Sequence, residues 1–298
     1  MEARLKKYFE AAEFLPPELR KYAHLLSDRE KETAEEFRLR RGQPFAVSFG
    51  GAEYVPDAGK LCTAEHIAFA VSGASKGSLH AVCDSLRNGY ITAEGGHRLG
   101  VCGSAVIKDG GISAIKTFSS VSLRIAKEII GAGKEVFEYL SLLLPLQNAL
   151  IISPPGGGKT TLLRDVVRLF SNSGARVSVA DERGEIAAMA DGVSGFDLGP
   201  RTDVMDGCGK ADGAMMLLRT MSPQIIALDE ITDPKDIAAV ENAGGCGVAI
   251  IATCHAYSGE ELKSRALYPE LKRLFEYVVL LEGGGEDRRV KITRMSEL

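Results

Sequence analysis

The chain has 298 residues, 45% of them hydrophobic and 26% charged, with a formal net charge of −4. These values are typical of a folded globular protein with a full apolar core, and they exclude an intrinsically disordered chain. The slightly acidic balance also argues against a protein that works mainly by neutralising nucleic-acid phosphates, because such proteins lean basic.

The start of the chain predicts a cytoplasmic protein. Its first residues, MEARLKK, are charged and lack the apolar centre of a signal peptide. The longest apolar stretch, residues 136–155, is broken by charged, amide and proline residues, so we expect no membrane span. The cysteines form no CxxC pair and no zinc-site spacing, and we expect them to be small buried side chains in a reducing compartment. They are Cys62, Cys83, Cys102, Cys208, Cys246 and Cys254.

Residues 1–130 predict an α+β domain. Short amphipathic helices are expected over about the first 30 residues, followed by strands between residues 36 and 55, where apolar residues alternate at period two. Helical spacing returns over residues 64–88. Paired strands at 90–92 and 99–107, joined by a turn over 95–98, lead to a hairpin turn at Asp109-Gly110-Gly111.

The composition changes between residues 119 and 134, beginning with serines and ending in Gly131-Ala132-Gly133, which we interpret as a hinge. We therefore predict a second domain over residues 131–298. It alternates strands with helices, which indicates a mostly parallel α/β sheet covered on both faces. The predicted helices cover 134–143 and 159–171, and the predicted strands cover 149–152, 176–180, 224–228, 247–252 and 276–281.

A glycine-rich loop between the strand Ala149-Leu150-Ile151-Ile152 and the next helix predicts a phosphate-binding site. Glycines allow consecutive backbone N–H groups to converge on an anion, and the helix N-terminus adds partial positive charge. ATP is the expected ligand, with Lys159 on the β- and γ-phosphates and Thr160 on Mg²⁺. The loop residues predicted to bind it are Ser153, Pro154, Pro155, Gly156, Gly157, Gly158, Lys159, Thr160 and Thr161.

Three other predicted strands end in polar residues, and the carboxyl ends of parallel strands share one edge of a sheet. After strand 224–228, Asp229 is expected to hold Mg²⁺ through its water shell and Glu230 to orient or deprotonate the attacking water. His255 follows strand 247–252 and is expected to face the γ-phosphate. Asp181 or Glu182, after strand 176–180, assists the metal or water, unless the pair belongs to a solvated loop.

Arginines are of interest because ring-forming hydrolases often borrow one from a neighbouring subunit. Arg219, Arg201 and Arg124 are the candidates, and Arg219 is our first choice. Each of them is alternatively an ordinary surface arginine.

Several segments together resemble the stage III sporulation protein AA family. They are residues 151–165, ADERGEI at 180–186, LGPRTDV at 198–204, RTMSPQ at 219–224, GYITAEGGHRLG at 89–100 and SSVSLRIA at 119–126. The resemblance covers roughly residues 35–295, and it is specific because of the combination of motifs. That family is similar in turn to the ring-forming ATPases of type II and type IV secretion and pilus assembly.

The resemblance implies a RecA-like P-loop ATPase domain behind the α+β domain. It also implies a hexameric ring at the membrane around a forespore, energising a secretion-like channel between mother cell and forespore. Membrane proteins of the same complex would be its partners and its link to the membrane. Residues 181–185 and 253–255 would correspond to the acidic and histidine boxes of the secretion ATPases.

Two positions depart from the expected patterns, and other functions stay open. Ser153 replaces the first glycine of the phosphate loop, and Asp229 stands where secretion ATPases often carry glycine. The alternatives are a nucleic-acid-associated ATPase, an ATP-binding scaffold without appreciable turnover and a P-loop kinase. The acidic balance and the lack of a recognisable binding module argue against a stable nucleic-acid partner.

Overall fold

The computed structural model describes residues 2–78, 82–87, 89–108, 110–283 and 289–298. The chain forms two compact units. The first contains Met1–Glu128 and Ala188–Phe196, and the second contains Ile129–Ala187 and Asp197–Leu298. The first unit therefore includes a short segment from the second half of the chain, which the sequence did not predict.

The first unit packs helices against an antiparallel sheet. Its helices are α1 (Glu2–Ala12), α2 (Pro17–His24), α3 (Asp28–Thr33), α4 (Ala64–Ala74) and α5 (Cys83–Arg87). Its strands are β1 (Glu36–Arg40), β2 (Ala46–Phe49), β3 (Ala52–Tyr54), β4 (Tyr90–Ala93), β5 (His97–Lys108) and β6 (Gly111–Arg124), which lie in the order β3-β2-β1-β6-β5-β4. Alternate residues of β1 and β5, such as Phe37 and Leu99, are buried in the core of this unit.

The predicted elements of the first half are present with changed bounds. The helical prediction over 64–88 corresponds to α4 and α5, with residues 79–81 and 88 outside the described residues. β5 and β6 pair as a hairpin, as predicted, although Asp109 of the predicted turn also lies outside the described residues. Ser119 and Ser120 lie inside β6, so the serine-rich stretch is strand rather than a connection.

A buried lysine joins the returning segment to the helix and turn beside it. Lys7 Nζ donates hydrogen bonds to the backbone oxygens of Gly95 and Gly195, each at 2.9 Å. Its third acceptor is Glu10 Oε2, at 3.0 Å. A side chain on Gly195 would meet the Cα of Gly96 at 2.4 Å, so the two backbones are in direct contact. Residues 188–196 are therefore an integral part of the first unit.

The buried imidazole of His97 predicts a loss of stability in acid. Its Nδ1 accepts a hydrogen bond from the Ala126 N–H at 3.0 Å, and burial, with a smaller effect of the Lys7 charge, lowers the pKa of His97 from 6.5 to about 3. Because the unfolded chain binds the proton first, stability is fully present above pH 6.5 and is lost as pH falls toward 3. The expected loss is about 1.4 kcal/mol per pH unit in that window.

Urea unfolding followed by circular dichroism at pH 7 and pH 5 checks this expectation. His97→Asn keeps an acceptor for the Ala126 N–H and removes the titration, so the difference between the two pH values should shrink by about 2 kcal/mol. The exposed His24 supplies the matched control, His24→Asn, which should leave the difference unchanged. Equal pH dependence in His97→Asn and the wild type would contradict the argument.

The second unit is an α/β sheet with helices between its strands. Its helices are α6 (Lys134–Ser141), α7 (Lys159–Asn172), α8 (Lys210–Thr220), α9 (Pro234–Gly245), α10 (Gly259–Ser264) and α11 (Tyr268–Leu274). Its strands are β7 (Ala149–Ser153), β8 (Val177–Asp181), β9 (Thr202–Asp206), β10 (Ile225–Leu228), β11 (Ala249–His255), β12 (Tyr277–Glu282) and β13 (Arg289–Arg294). The order is β13-β12-β7-β11-β10-β8-β9, and every neighbouring pair is parallel except β12 and β13.

This sheet agrees with the predicted alternation of strands and helices. The strands β7, β8 and β10 are buried along their whole length, as continuous apolar runs indicate. The sequence missed β9 and the antiparallel β13, because neither is such a run. β11 begins two residues later and ends three residues later than predicted, and it contains the polar residues Thr253 and His255.

Three further predictions concern the hinge, the burial of the cysteines and membrane-spanning helices. Gly133, the end of the predicted hinge, is packed against α7: its N–H donates to Asp165 Oδ2 at 2.7 Å, and a Cβ would meet the backbone nitrogen of Val166 at 2.7 Å. Close packing therefore accounts for this glycine. The prediction that the cysteines are buried is wrong for Cys102 and Cys246, which are exposed. In the described part of the chain, no helix is long and apolar enough to cross a membrane.

Candidate functional site

Adjacent strands of the second unit bring the predicted polar residues to one edge of the sheet. In the strand register, Ser153 of β7 pairs with His255 of β11, while Leu228 of β10 lies between Ala252 and Ala180. The residues after β10 are thus next to the ends of β8 and β11. The phosphate loop, the Asp229-Glu230 pair and His255 therefore share one edge.

The phosphate loop has the backbone that an anion site requires. Gly156 and Gly158 have φ values of +73° and +90°, in the left-handed region that favours glycine. α7 begins at Lys159, and the first N–H groups of a helix lack partners inside the helix. The loop therefore directs free N–H groups and the positive end of the helix toward a ligand, which suits a phosphate.

Ser153 and Gly157 fit each other inside the loop. The Ser153 hydroxyl is buried and donates to the Pro154 carbonyl at 3.0 Å. A Cβ on Gly157 would come within 2.4 Å of that hydroxyl oxygen. The serine at the first position of the loop is accommodated because the residue facing it has no side chain.

Gly157→Ala is therefore expected to distort the loop and weaken ATP binding by at least about tenfold, because the added methyl forces backbone N–H groups out of place. Equilibrium binding of ATP measures the effect. The double variant Ser153→Gly/Gly157→Ala removes the hydroxyl that the methyl meets and should recover part of the affinity. Unchanged binding in Gly157→Ala would contradict the steric argument.

Lys159, His255 and Glu230 form a line of contacts across the site. Lys159 Nζ donates to His255 Nδ1 at 2.8 Å and to the Pro154 carbonyl at 3.3 Å. His255 Nε2 lies 3.1 Å from Glu230 Oε1. Since the ammonium donates to Nδ1, the ring proton is on Nε2, which donates to Glu230. The lysine, histidine and glutamate predicted separately are thus in contact.

Burial lowers the pKa of Lys159, against the opposing influence of Asp229 and Glu230, which raise it. A buried ammonium is most stable beside an anion that it can pair with. The lysine is therefore placed to gain from an anionic ligand at the loop.

Thr160 and Asp229 are joined directly. The Thr160 hydroxyl donates to Asp229 Oδ2 at 2.9 Å, and Thr253 Oγ1 donates to the other carboxylate oxygen at 2.5 Å. A hydroxyl and a carboxylate are the hard oxygen donors that Mg²⁺ prefers, and Mg²⁺ is usually held by one or two carboxylates together with substrate phosphates. Within the described ranges no cluster of three or more His, Cys, Asp or Glu could hold a metal by itself. The Thr160 hydroxyl and the Asp229 carboxylate are thus of the donor types that fit a magnesium ion.

Glu230 has an unusual backbone. Its φ is +52°, a conformation that costs a non-glycine residue about 1–3 kcal/mol and that concentrates at functional sites. Its carboxylate contacts His255 on one side, and Arg183 Nη1 donates to Oε2 at 2.5 Å on the other. Arg183 is a contact that the sequence did not assign.

Asp181 and Glu182, which the sequence left as alternatives, have different surroundings. The buried Asp181 carboxylate accepts N–H groups from Glu185, Ile186 and Ala187. Burial raises the pKa of Asp181, those three bonds oppose the rise, and Asp229 adds to it. Asp181 therefore shapes the loop that follows β8.

Glu182 is exposed on that loop, and its Oε2 lies 3.5 Å from Lys210 Nζ. Arg164 of α7 holds the same loop by donating to the carbonyls of Glu185 and Ile186, each at 2.7 Å. The loop is thus tied to the helix that follows the phosphate loop.

The candidate arginines lie elsewhere. Arg219 is exposed in the last turn of α8, which leads to the amino end of β10, opposite the edge that carries the phosphate loop. Arg201 donates to the Gly174 carbonyl at 3.1 Å, and Arg124 ends β6 in the first unit. Among the hydrogen bonds and ion pairs described for the second unit, neither Arg219 nor Arg201 pairs with a site residue. A role for Arg219 therefore stays a prediction about a neighbouring subunit.

Lys210 is a further residue at the site that was not predicted from the sequence. It is buried at the start of α8, and its Nζ donates to the Glu230 carbonyl at 2.7 Å. A lysine just after a glycine at a helix start carries no motif, so only the fold reveals it.

Comparison with known proteins assigns both a family and a fold. A family model described as sporulation stage III, protein AA matches residues 6–294. The chain is 35% identical over 281 residues to stage III sporulation protein AA of Bacillus subtilis (strain 168), covering 90% of this chain and 87% of that protein.

Two solved structures share the fold. The pilus retraction motor PilT with bound ADP superposes with a TM-score of 0.61 at 16% identity, covering 90% of this chain and 83% of that one. The ATPase DotB of Legionella pneumophila gives a TM-score of 0.54 at 15% identity, covering 88% and 76%. At these identities the likeness shows that the chain has the α/β fold of such ATPases.

Proposed function

The chain belongs to the stage III sporulation protein AA family, and from that premise we propose that it is a magnesium-dependent ATPase that energises a sporulation channel between mother cell and forespore. The second unit is its RecA-like motor. The working form is a hexamer in the cytoplasm, attached to the membrane through membrane-protein partners of a secretion-like complex. The family, the fold and the arrangement of the sheet edge support this proposal.

One observation carries the proposal: Thr160 and Asp229 are in hydrogen-bond contact at 2.9 Å, with Glu230 as the next residue. Lys159 and the loop N–H groups bind the phosphates of ATP. Thr160 and Asp229 hold the magnesium, which neutralises phosphate charge when bound.

Glu230 orients a water molecule and takes its proton as the water oxygen attacks the γ-phosphorus. The bond to the β–γ bridging oxygen then breaks, which leaves ADP and phosphate. His255 senses or polarises the γ-phosphate, Glu182 assists the water or metal, and Arg219 acts on the site of a neighbouring subunit.

Phosphate release from ATP, measured over a range of protein concentrations with magnesium and with excess EDTA, tests the proposal. We expect release that requires magnesium and rises more steeply than protein concentration, because subunits complete each other's sites. Magnesium-independent release would contradict the proposed role of the metal. ATP binding without turnover would contradict the hydrolase and favour an ATP-binding scaffold.

Adding single-stranded DNA or RNA to the same assay distinguishes the remaining alternative. The acidic chain predicts no stimulation. Strong stimulation would instead support a nucleic-acid-associated ATPase.

A further inference from the structure

The left-handed backbone of Glu230 is held at its N–H by one side chain. The Glu230 N–H donates to Thr253 Oγ1 at 2.8 Å. The same hydroxyl donates to Asp229, so its direction is fixed. The next amide, that of Ile231, donates to the Thr253 carbonyl at 2.8 Å. Thr253 therefore binds the turn at two consecutive amides.

A second side chain holds the other end of the same residue. Lys210 Nζ donates to the Glu230 carbonyl at 2.7 Å, while its two carboxylate partners, Glu182 and Asp236, both lie farther away, at 3.5 Å. The carbonyl is thus the nearest acceptor of this buried ammonium. An ordinary buried ion pair would place the carboxylate nearest.

The two carboxylates fix where the ammonium lies. Asp236 is buried in the first turn of α9 and accepts the N–H groups of Thr232 at 3.0 Å and Asp233 at 3.1 Å, so it is itself immobilised. Glu182 approaches from the loop after β8. Lys210 therefore connects the starts of two helices and the end of a neighbouring strand to one carbonyl oxygen.

We propose that Lys210, together with Thr253, is a positioning residue that keeps the peptide of Glu230 in its left-handed conformation and thereby sets the carboxylate in place for hydrolysis. The inference rests on the proposed function, because it deepens the role of Glu230. Without the Lys210 contact, the peptide is free to relax to an ordinary φ, and the carboxylate leaves its place between Arg183 and His255.

Steady-state kinetics of Lys210→Met test the proposal, because methionine keeps the length of the side chain and removes the donor. We expect kcat to fall about 100-fold, as for a displaced catalytic group, while KM for ATP stays within about threefold. Lys210→Arg keeps a cationic donor and should recover part of kcat. Lys235→Met is the matched control, since Lys235 lines the same cleft but is exposed, and its kcat should be that of the wild type.

Amide hydrogen exchange at residues 230 and 231 gives a second readout that needs no turnover. Release of the peptide in Lys210→Met should speed exchange there by about tenfold or more, with no change in Lys235→Met. If Lys210→Met does not fold, Lys210→Met/Asp236→Asn removes both charges and leaves no buried carboxylate unpaired.

Wild-type kcat, a parallel rise in KM, or unchanged exchange in the folded variant would each overturn the proposal. Absence of turnover in the wild type would instead count against the hydrolase, while the exchange result would still decide the role of Lys210.

Discussion

Replacing Lys159 by alanine is expected to weaken ATP binding by about 100-fold or more, the cost of removing one partner from a desolvated charge pair. Burial already lowers the pKa of Lys159, so its ammonium gains stability when an anion replaces its contacts with His255 and Pro154. Isothermal titration with ATP and magnesium measures the dissociation constant.

Lys134→Ala is the matched control for this experiment. Lys134 also stands first in a helix, but its side chain is 72% exposed and pairs only weakly with Glu138, 3.7 Å away. Its removal should leave the dissociation constant unchanged. An affinity of Lys159→Ala within about threefold of the wild type would show that the ammonium does not meet the phosphates.

Glu230→Gln is expected to retain ATP binding and to lose turnover by about 10²- to 10⁴-fold, the range in which a general base contributes. Glutamine keeps the shape of the side chain and an oxygen that can accept from His255 Nε2, so the loop and the bound nucleotide should be little disturbed. It has no charge for Arg183 and cannot take a proton from water. Binding and phosphate release are measured on the same preparation.

Glu241→Gln supplies the comparison. Glu241 belongs to α9 and pairs with Arg273 on the surface. The Glu241→Gln variant should therefore hydrolyse ATP at the wild-type rate. If Glu230→Gln retained turnover within about threefold, the base would have to be another group, and Glu182 would be the next to test.

The sheet edge could be predicted because its signals are local. Buried parallel strands read as continuous apolar runs, and the residues that follow them meet at one edge whatever the helices between them contain. The phosphate loop adds a motif in which glycines are required because the backbone takes positive φ values, as it does at Gly156 and Gly158.

The rest depended on contacts between distant parts of the chain. Lys210 and Arg183 contact Glu230 from other parts of the fold, and no spacing in the sequence indicates these contacts. Gly133 shows the same limit: a glycine next to a composition change suggested a hinge, and the sequence does not indicate its close packing on α7. The strands β9 and β13 were missed because partly exposed strands lack continuous apolar runs.

The segment 188–196 prevents the two units from being separated by one cut in the chain. Because the first unit is completed by residues that follow β8, a cut at residue 128 leaves the first unit incomplete and leaves its last segment attached to the second unit. A fragment ending there lacks the Gly195 carbonyl that binds Lys7, and the complementary fragment carries Phe196 without its partner Gly96. A single recombination event at that point cannot exchange the first unit as a whole. We therefore expect the two units to have evolved together.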